Sequence, residues 1–144
     1  MPFVNPDQYT IRDILSASRT IAVVGLSDKT DRTSYMVAGA MQAAGYRIIP
    51  VNPAADDGSI LGEKVYAKLE DIPEQVDIVN VFRKSEYCPE IARQTVAIGA
   101  KVLWLQQGVH SLEAAFIAES NGLTVIMDRC IKVEEALTRA HRNS

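Results

Sequence analysis

The sequence predicts an α/β fold in which helices cover both faces of a five-stranded parallel sheet, a three-layer doubly wound architecture. Five short apolar runs rich in β-branched residues are spaced along the chain, as expected for strands that are buried on both faces. Segments of helical periodicity separate most of these runs, and parallel strands require such crossover connections. The chain has 144 residues, of which 47% are hydrophobic, so we expect residues 1–144 to form a single domain.

The first half of the chain predicts a strand, a loop, a helix and a second strand. Residues 20–25 (TIAVVG) form an apolar run that ends in glycine, which is typical of a buried strand. Residues 34–45 place apolar side chains on one helical face and end at Gly45. Residues 46–51 (YRIIPV) predict the second strand, and the weak helical pattern of residues 54–75 predicts a short turn instead of a full crossover helix.

The second half of the chain continues the alternation with three more strands and three more helices. The strands are predicted at 76–82, 101–106 and 123–128, and the helices at 85–99, 111–122 and 132–143. Pro89 places the first turn of the helix at 85–99 near residue 88, because proline is favoured at a helix start. Right-handed crossovers then lead us to expect the strand order 3-2-1-4-5.

Composition argues against several classes of protein. The net charge of −3 and the pI of about 5.4 give no electrostatic footprint for nucleic acid or an anionic membrane surface. No apolar stretch approaches the roughly 20 residues that span a bilayer, and residues 1–13 do not resemble a targeting signal. Cys88 and Cys130 are too sparse for a disulfide framework. We therefore expect a cytoplasmic protein with reduced thiols and no membrane or nucleic-acid partner; whether it has a protein partner stays open.

Residues 23–35 (VVGLSDKTDRTSY) join the first predicted strand to the first long helix. Ligands of this fold bind outside the carboxyl ends of the strands, and a helix N-terminus favours an anion. The phosphate-loop motif G-x-x-x-x-G-K-[ST] is absent. A dinucleotide fingerprint would need glycine in place of Ser27 and Thr30, and Asn52 stands where NAD-binding domains carry an acidic residue. These differences argue against NAD.

The polar side chains of this loop allow two interpretations. Ser27 and Thr30 supply hydroxyl groups, and Lys29 and Arg32 supply cations, which together suit a phosphorylated ligand. Serine, threonine and aspartate are also common in turns and helix caps for purely local reasons. The loop pattern by itself leaves both interpretations open.

Four blocks of sequence, at 23–53, 61–86, 99–109 and 122–134, resemble a known family in their order and spacing. They are similar to the small stand-alone CoA-binding proteins, and to the N-terminal domain of the succinyl-CoA synthetase α subunit. The resemblance extends from about residue 10 to residue 135. It implies a Rossmann-like fold that binds coenzyme A (CoA) non-covalently at the carboxyl edge of its sheet.

The resemblance also implies which residues contact CoA, in four groups that each follow a predicted strand. These are a phosphate loop, a block at the nucleotide end, a block that flanks adenine or meets a phosphate, and a loop that holds another part of CoA. The residues are Gly25, Ser27, Asp28, Lys29, Thr30 and Arg32; Val51, Asn52 and Pro53; Phe82 and Arg83; and Leu105, Gln106, Gln107 and Gly108. The synthetase-type chains have Thr-Glu-Gly at 106–108, so the contacts made there differ in chemistry.

The implied function is binding of CoA or an acyl-CoA, in a regulatory or carrier role, without ligase chemistry. The synthetase carries its phosphohistidine in a second domain, for which we expect no room in this chain, and the sequence assigns no catalytic residue and no metal ligand. One alternative is an enzyme acting on a CoA thioester or another nucleotide, with His110 or Cys130 in its site. Another is an NAD-type domain or an interaction module.

The sequence also leads to expectations for five further polar residues in the last third of the chain. We expect His110 to begin the helix that follows it. Arg129 beside Asp128 suits either a structural ion pair or a site. Glu134 and Glu135 are expected on a solvated helix face.

Overall fold

The computed structural model describes residues 3–55 and 58–142, and it confirms the predicted α/β class. Within those residues the strands are β1 (Thr20–Val24), β2 (Arg47–Val51), β3 (Ser59–Ile60), β4 (Glu63–Lys64), β5 (Ile78–Val81), β6 (Val102–Leu105) and β7 (Thr124–Ile126). The α-helices are α1 (Gln8–Ala17), α2 (Thr33–Ala43), α3 (Cys88–Ala97), α4 (Leu112–Ser120) and α5 (Ile131–Arg142). Residue 143, the predicted end of the last helix, lies outside the described residues. In the described ranges no helix has the length and apolarity needed to cross a bilayer.

Five strands form one parallel sheet in the order β2-β1-β5-β6-β7. The predicted order is wrong in one respect, because the third long strand, β5, pairs with the free side of β1 and not with β2. The connection after β2 explains this difference, since it occupies the outer edge of β2 itself. Asn52 N donates to Tyr66 O at 2.9 Å, and Tyr66 N donates to Pro50 O at 3.0 Å. An edge position also suits Pro50, which has no N–H to give to a ladder.

The two faces of the sheet are covered by different helices. On one face, α3 and α4 pack over alternate strand residues such as Val79 and Leu103. On the other face, α1, α2 and α5 pack over the intervening residues, among them Ile21 and Trp104. Trp104 is wholly buried and its indole N–H donates to Arg129 O at 2.9 Å, as a buried indole requires. Because helices cover both faces, the sheet is open only where its strands begin and where they end.

Two local elements differ from the expectation. Helix α1 was not predicted, although Asp7 caps it by accepting from Thr10 N at 2.9 Å, and this bond lowers the pKa of Asp7. Its buried residues Ile11 and Leu15 are four apart, which is the helical signal that the sequence offered. The predicted turn at 54–75 contains the small antiparallel hairpin of β3 and β4; residues 56 and 57 lie outside the described residues.

The prediction that Glu134 and Glu135 face solvent is wrong. They are 6% and 3% exposed, because α5 packs against both α1 and α2 and turns this part of its surface inward. Buried carboxylates are costly unless they are paired. Glu134 lies 3.7 Å from Arg129, and Glu135 lies 3.6 Å from Arg139 and 3.7 Å from Arg142. These pairs lie within α5 or join it to Arg129 just before it, and they offset the cost of burying the two carboxylates.

Candidate functional site

The carboxyl ends of three strands meet around Gly25. Gly25 N donates to Val51 O at 2.9 Å, and Phe82 N donates to Val24 O at 2.9 Å, so both ladders continue beyond β1. Gly25 has a φ of 88°, and a Cβ there would lie 2.9 Å from Phe82 O and 3.0 Å from Arg83 Cδ. Glycine alone satisfies both conditions. Its missing side chain lets the loop after β1 and the turn after β5 approach each other.

The loop between β1 and α2 is folded by its own hydroxyl groups. Ser27 Oγ accepts from Lys29 N at 3.1 Å, and Ser34 Oγ accepts from Ser27 N at 3.0 Å. Arg32 is the N-cap residue of α2, but its side chain makes no capping hydrogen bond. The first turn of α2 therefore presents its N–H groups to the loop without a side-chain acceptor, and this is the end of the helix dipole that favours an anion.

A cleft of about 290 Å³ lies over this loop and is called here the loop cleft; it is lined by Gly25, Ser27, Arg32, Thr33, Ser34 and Phe82. Lys29 and Arg32 are exposed, and within residues 3–55 and 58–142 neither forms an ion pair. Asp28 and Asp31 balance their charge within the loop itself. The neighbouring turn after β5 adds two further cations, Arg83 and Lys84, beside Glu86.

A second cleft, called here the α3 groove, opens on the other side of the sheet and has a volume of about 250 Å³. Val24, Val51, Pro53, Leu69 and Ile91 give it apolar walls, and Lys68, Arg83 and Tyr87 are among its polar lining residues. The guanidinium of Arg83 lies 4.4 Å from the centre of the Tyr87 ring, a favourable cation–π contact. Since the Arg83 stem also lies beside Gly25, Arg83 joins the groove to the loop cleft.

Asn52 fixes the relative positions of the loops after β1 and β2. Its Nδ2 donates to Leu26 O at 2.9 Å, and its Oδ1 accepts from Ala54 N at 2.9 Å. Both ends of the amide are therefore bonded to backbone. An aspartate would keep the acceptor but lose the donor to Leu26, so the local structure gives a reason for the amide that the sequence alone did not provide.

The end of β6 buries the side chains of two residues that were predicted to contact ligand. Leu105 is wholly buried and Gln106 is 4% exposed, so neither side chain reaches the edge surface. Gln106 Oε1 instead accepts from Asn80 Nδ2 at 3.3 Å and from Ile131 N at 3.3 Å, which ties β5 to the start of α5. The reason is that both faces of the strand are covered. Gln107 and Gly108 follow it and are exposed.

The loop after β6 also holds a histidine–carboxylate pair that the sequence reasoning did not find. His110 Nε2 lies 3.2 Å from Asp128 Oδ2, and Asp128 Oδ1 accepts from Gly108 N at 2.7 Å. His110 N donates to Ser85 Oγ at 3.0 Å. His110 thus precedes helix α4, whose N-cap is Ser111, and does not begin it. The available signal was that both members of the pair follow strands that the predicted order already placed side by side, and that the structure shows as β6 and β7.

The loops of this parallel sheet crowd one edge, around a glycine that needs a positive φ. This arrangement defines the class of doubly wound ligand-binding domains. The family model described as CoA binding domain matches residues 19–136. The chain belongs to this family. The matched range includes every predicted site residue and the His110–Asp128 pair.

Relatives of known sequence and structure agree with this assignment. The chain is 51% identical over 135 residues to the uncharacterized protein YneT of Bacillus subtilis (strain 168), which covers 94% of this chain and 98% of YneT. It is 31% identical over 97 residues to acetate–CoA ligase [ADP-forming] II of Archaeoglobus fulgidus, a match that covers 65% of this chain and 14% of the ligase. The structure of a hypothetical protein from Pyrococcus horikoshii OT3 matches with a TM-score of 0.89 at 32% identity, over 96% of this chain and 99% of that one.

Proposed function

We propose that this chain is a single CoA-binding domain that holds CoA or an acyl-CoA non-covalently at the carboxyl edge of its sheet, without ligase chemistry. The observation that carries the proposal is the meeting of two unlike clefts at Gly25 and Arg83. The loop cleft is polar and lies at a helix N-terminus, whereas the α3 groove has apolar walls. CoA has this same division, because it combines several phosphates with an adenine ring. Membership of the CoA binding domain family supports the choice.

The pyrophosphate of CoA is assigned to the loop cleft. There it meets the first N–H groups of α2 together with the side chains of Ser27, Lys29 and Arg32, which donate to phosphate oxygens. Lys29 and Arg32 are available for this role, since within the described part of the chain neither is engaged in an ion pair. Each charge-assisted contact is worth about 1.5–3 kcal/mol.

The adenine ring is assigned to the α3 groove. Val51 and Pro53 form one wall of this groove and Tyr87 lies on another, so an aromatic ring finds apolar surface there. Lys68 and Arg83 line the same groove and supply positive charge for the 3′-phosphate. In this arrangement Val51, Pro53, Phe82 and Arg83 contact ligand, while Asn52 positions the loops around it.

A calorimetric comparison of CoA, acetyl-CoA, dephospho-CoA and NAD tests the proposal. We expect CoA and acetyl-CoA to bind. Dephospho-CoA should bind about 10- to 100-fold more weakly, because it lacks the 3′-phosphate and hence one charge-assisted contact. NAD should not bind, since Asn52 stands directly after β2, where NAD-binding domains carry the acidic residue that holds the ribose. A chain that binds NAD and ignores CoA would overturn the proposal.

Substitutions test where the phosphates lie. Lys29→Ala and Arg32→Ala should each weaken CoA binding by about 10-fold or more. Lys101→Ala and Arg19→Ala are matched controls, because these exposed residues precede β6 and β1 and so lie at the opposite edge of the sheet. The controls should bind CoA like the unaltered protein. Unchanged affinity in both loop variants would contradict the assignment of the pyrophosphate.

A further inference from the structure

The His110–Asp128 pair has the geometry of a general base and its orienting carboxylate. The Nε2 atom of His110 lies 3.2 Å from Asp128 Oδ2, close enough for the carboxylate to attract this side of the ring and to stabilise the imidazolium. When Nε2 carries the ring hydrogen, as the nearby carboxylate favours, Nδ1 carries the lone pair. Within residues 3–55 and 58–142 the His110 ring makes no other polar contact, which leaves Nδ1 available to accept a proton.

The backbone on both sides of this pair is held in place. Asp128 is one of two non-glycine residues with positive φ in the described ranges, with a φ of 59°, a conformation that aspartate adopts more readily than most residues. Its second oxygen is fixed by Gly108 N at 2.7 Å. His110 is fixed through its own N–H, which donates to Ser85 Oγ at 3.0 Å. Hydrogen bonds among the loops after β5, β6 and β7 thus hold the His110 backbone and the Asp128 carboxylate in place.

The pair lies where the thiol end of CoA would arrive, an inference that rests on the proposed function. Ser85, which contacts His110, is two residues after Arg83 of the α3 groove. From the end of β1 to the end of β6 are two strand spacings, or ~10 Å. The pantetheine arm of CoA has as many chain atoms as about four peptide residues, an extended length of ~14 Å. An arm that starts at the loop cleft therefore spans this distance.

We propose that His110 and Asp128 form a catalytic dyad that hydrolyses an acyl-CoA thioester bound at this edge. His110 Nδ1 takes a proton from water while the water oxygen attacks the thioester carbonyl carbon. The carbon–sulfur bond then breaks, and the imidazolium returns the proton to the departing thiolate. The products are a carboxylic acid and CoA, and no oxidant or reductant is consumed. His110 and Asp128 side chains are 59% and 48% exposed, so water reaches the dyad.

The roles of the two residues differ. His110 is the catalytic residue, because it exchanges the proton with water and sulfur. Asp128 is a positioning residue that selects the tautomer and orientation of the ring. Asp128→Asn is a conservative test, since asparagine tolerates positive φ well and keeps an oxygen for Gly108 N. An asparagine does not reproduce the charge that stabilises the imidazolium.

The experiment follows loss of the thioester absorbance of acetyl-CoA, butyryl-CoA and octanoyl-CoA, with CoA affinity measured in parallel by calorimetry. We expect turnover of at least one thioester by the unaltered protein. His110→Gln should lower kcat by about 100-fold or more, and Asp128→Asn by about 10-fold or more, with KM little changed. Free imidazole should restore part of the activity of His110→Ala. His141→Gln, which changes the other histidine of the chain, should leave turnover unchanged.

Two outcomes overturn the inference and are distinguishable from each other. If CoA binds as proposed but the unaltered protein turns over thioesters no faster than His110→Gln, the dyad is not catalytic and the binding function stands. If none of these CoA compounds binds, the proposed function fails and the inference fails with it. Loss of turnover in Asp128→Asn through a raised KM alone would assign Asp128 to binding and contradict its positioning role.

Discussion

The substitution Gly25→Ala tests whether the close approach of two loops at the strand ends builds the site. Two costs add at this position. The φ of 88° is unfavourable for any residue with a Cβ, by about 1–2 kcal/mol. The new Cβ would also lie 2.9 Å from the backbone oxygen of Phe82, and relieving such a clash costs about 1–3 kcal/mol. We therefore expect a total loss of about 2–5 kcal/mol in the free energy of unfolding.

Gly122→Ala separates these two costs. Gly122 has a similar φ of 83° but nothing within 4 Å of a Cβ, so its substitution should cost only the backbone part. Urea unfolding measures both variants. With a slope of about 2 kcal/mol/M, Gly122→Ala should lower the midpoint by about 0.5–1 M and Gly25→Ala by about 1–2.5 M.

The binding consequence gives the same test a second measurement. In Gly25→Ala, relief of the clash displaces Phe82 or Arg83, the residues at which the loop cleft and the α3 groove meet. CoA affinity should therefore fall in Gly25→Ala and remain unchanged in Gly122→Ala. Equal midpoints for the two variants, together with full CoA affinity in Gly25→Ala, would refute this reasoning.

Three further predictions concern other parts of the chain. Asn52→Ala removes hydrogen bonds to Leu26 O and Ala54 N. The substitution should lower the free energy of unfolding by ~2 kcal/mol, lower Tm by about 4–8 °C and weaken CoA binding. An unchanged Tm would contradict the role given to the amide. Hydrogen bonding to Arg47 lowers the pKa of Glu74. The stability that this pair contributes is therefore present above the ordinary pKa of 4.5 and is lost as pH falls through the lowered pKa. Unfolding curves should show that Glu74→Gln is less stable than the unaltered protein at pH 7 and that the difference shrinks in acid. Burial raises the pKa of Cys88 to about 11, against an opposing effect of Arg83. At pH 8 a thiol reagent should therefore modify the partly buried Cys130 well before Cys88. Mass spectrometry measures the two rates, and equal rates would contradict the burial of Cys88.

The strands were predictable because their signal is local. β1, β5 and β6 are buried along their whole length, and continuous apolar runs report that burial directly. The position of β5 was not predictable from the same signal. It depends on whether the connection after β2 covers the outer edge of that strand, and this is decided by backbone hydrogen bonds of Tyr66 that leave no mark on composition.

The candidate site was likewise predictable where its signal is local in the sequence, and not where it depends on tertiary packing. Gly25 and the hydroxyl and basic residues after it were predicted as site residues because they follow a strand and precede a helix, and their contact with ligand stays a prediction. The burial of the Leu105 and Gln106 side chains was not foreseen, because their sequence block continues into an exposed loop; their contact with ligand stays a prediction. The predicted order already placed β6 and β7 side by side, as they are, but the contact between His110 and Asp128 depends on how the two loops fold beyond the strands, which no spacing along the chain reports.

The most direct measurement of the central claim is a titration of CoA into isotopically labelled protein, followed by amide chemical shifts. The largest changes are predicted at the carboxyl edge, in the loop from Gly25 to Ser34, in the turn at Phe82 and Arg83, and at Gln107 and Gly108. Residues at the opposite edge, such as Arg19 and Lys101, should not respond. Changes centred on that opposite edge, or none at saturating CoA, would contradict the account.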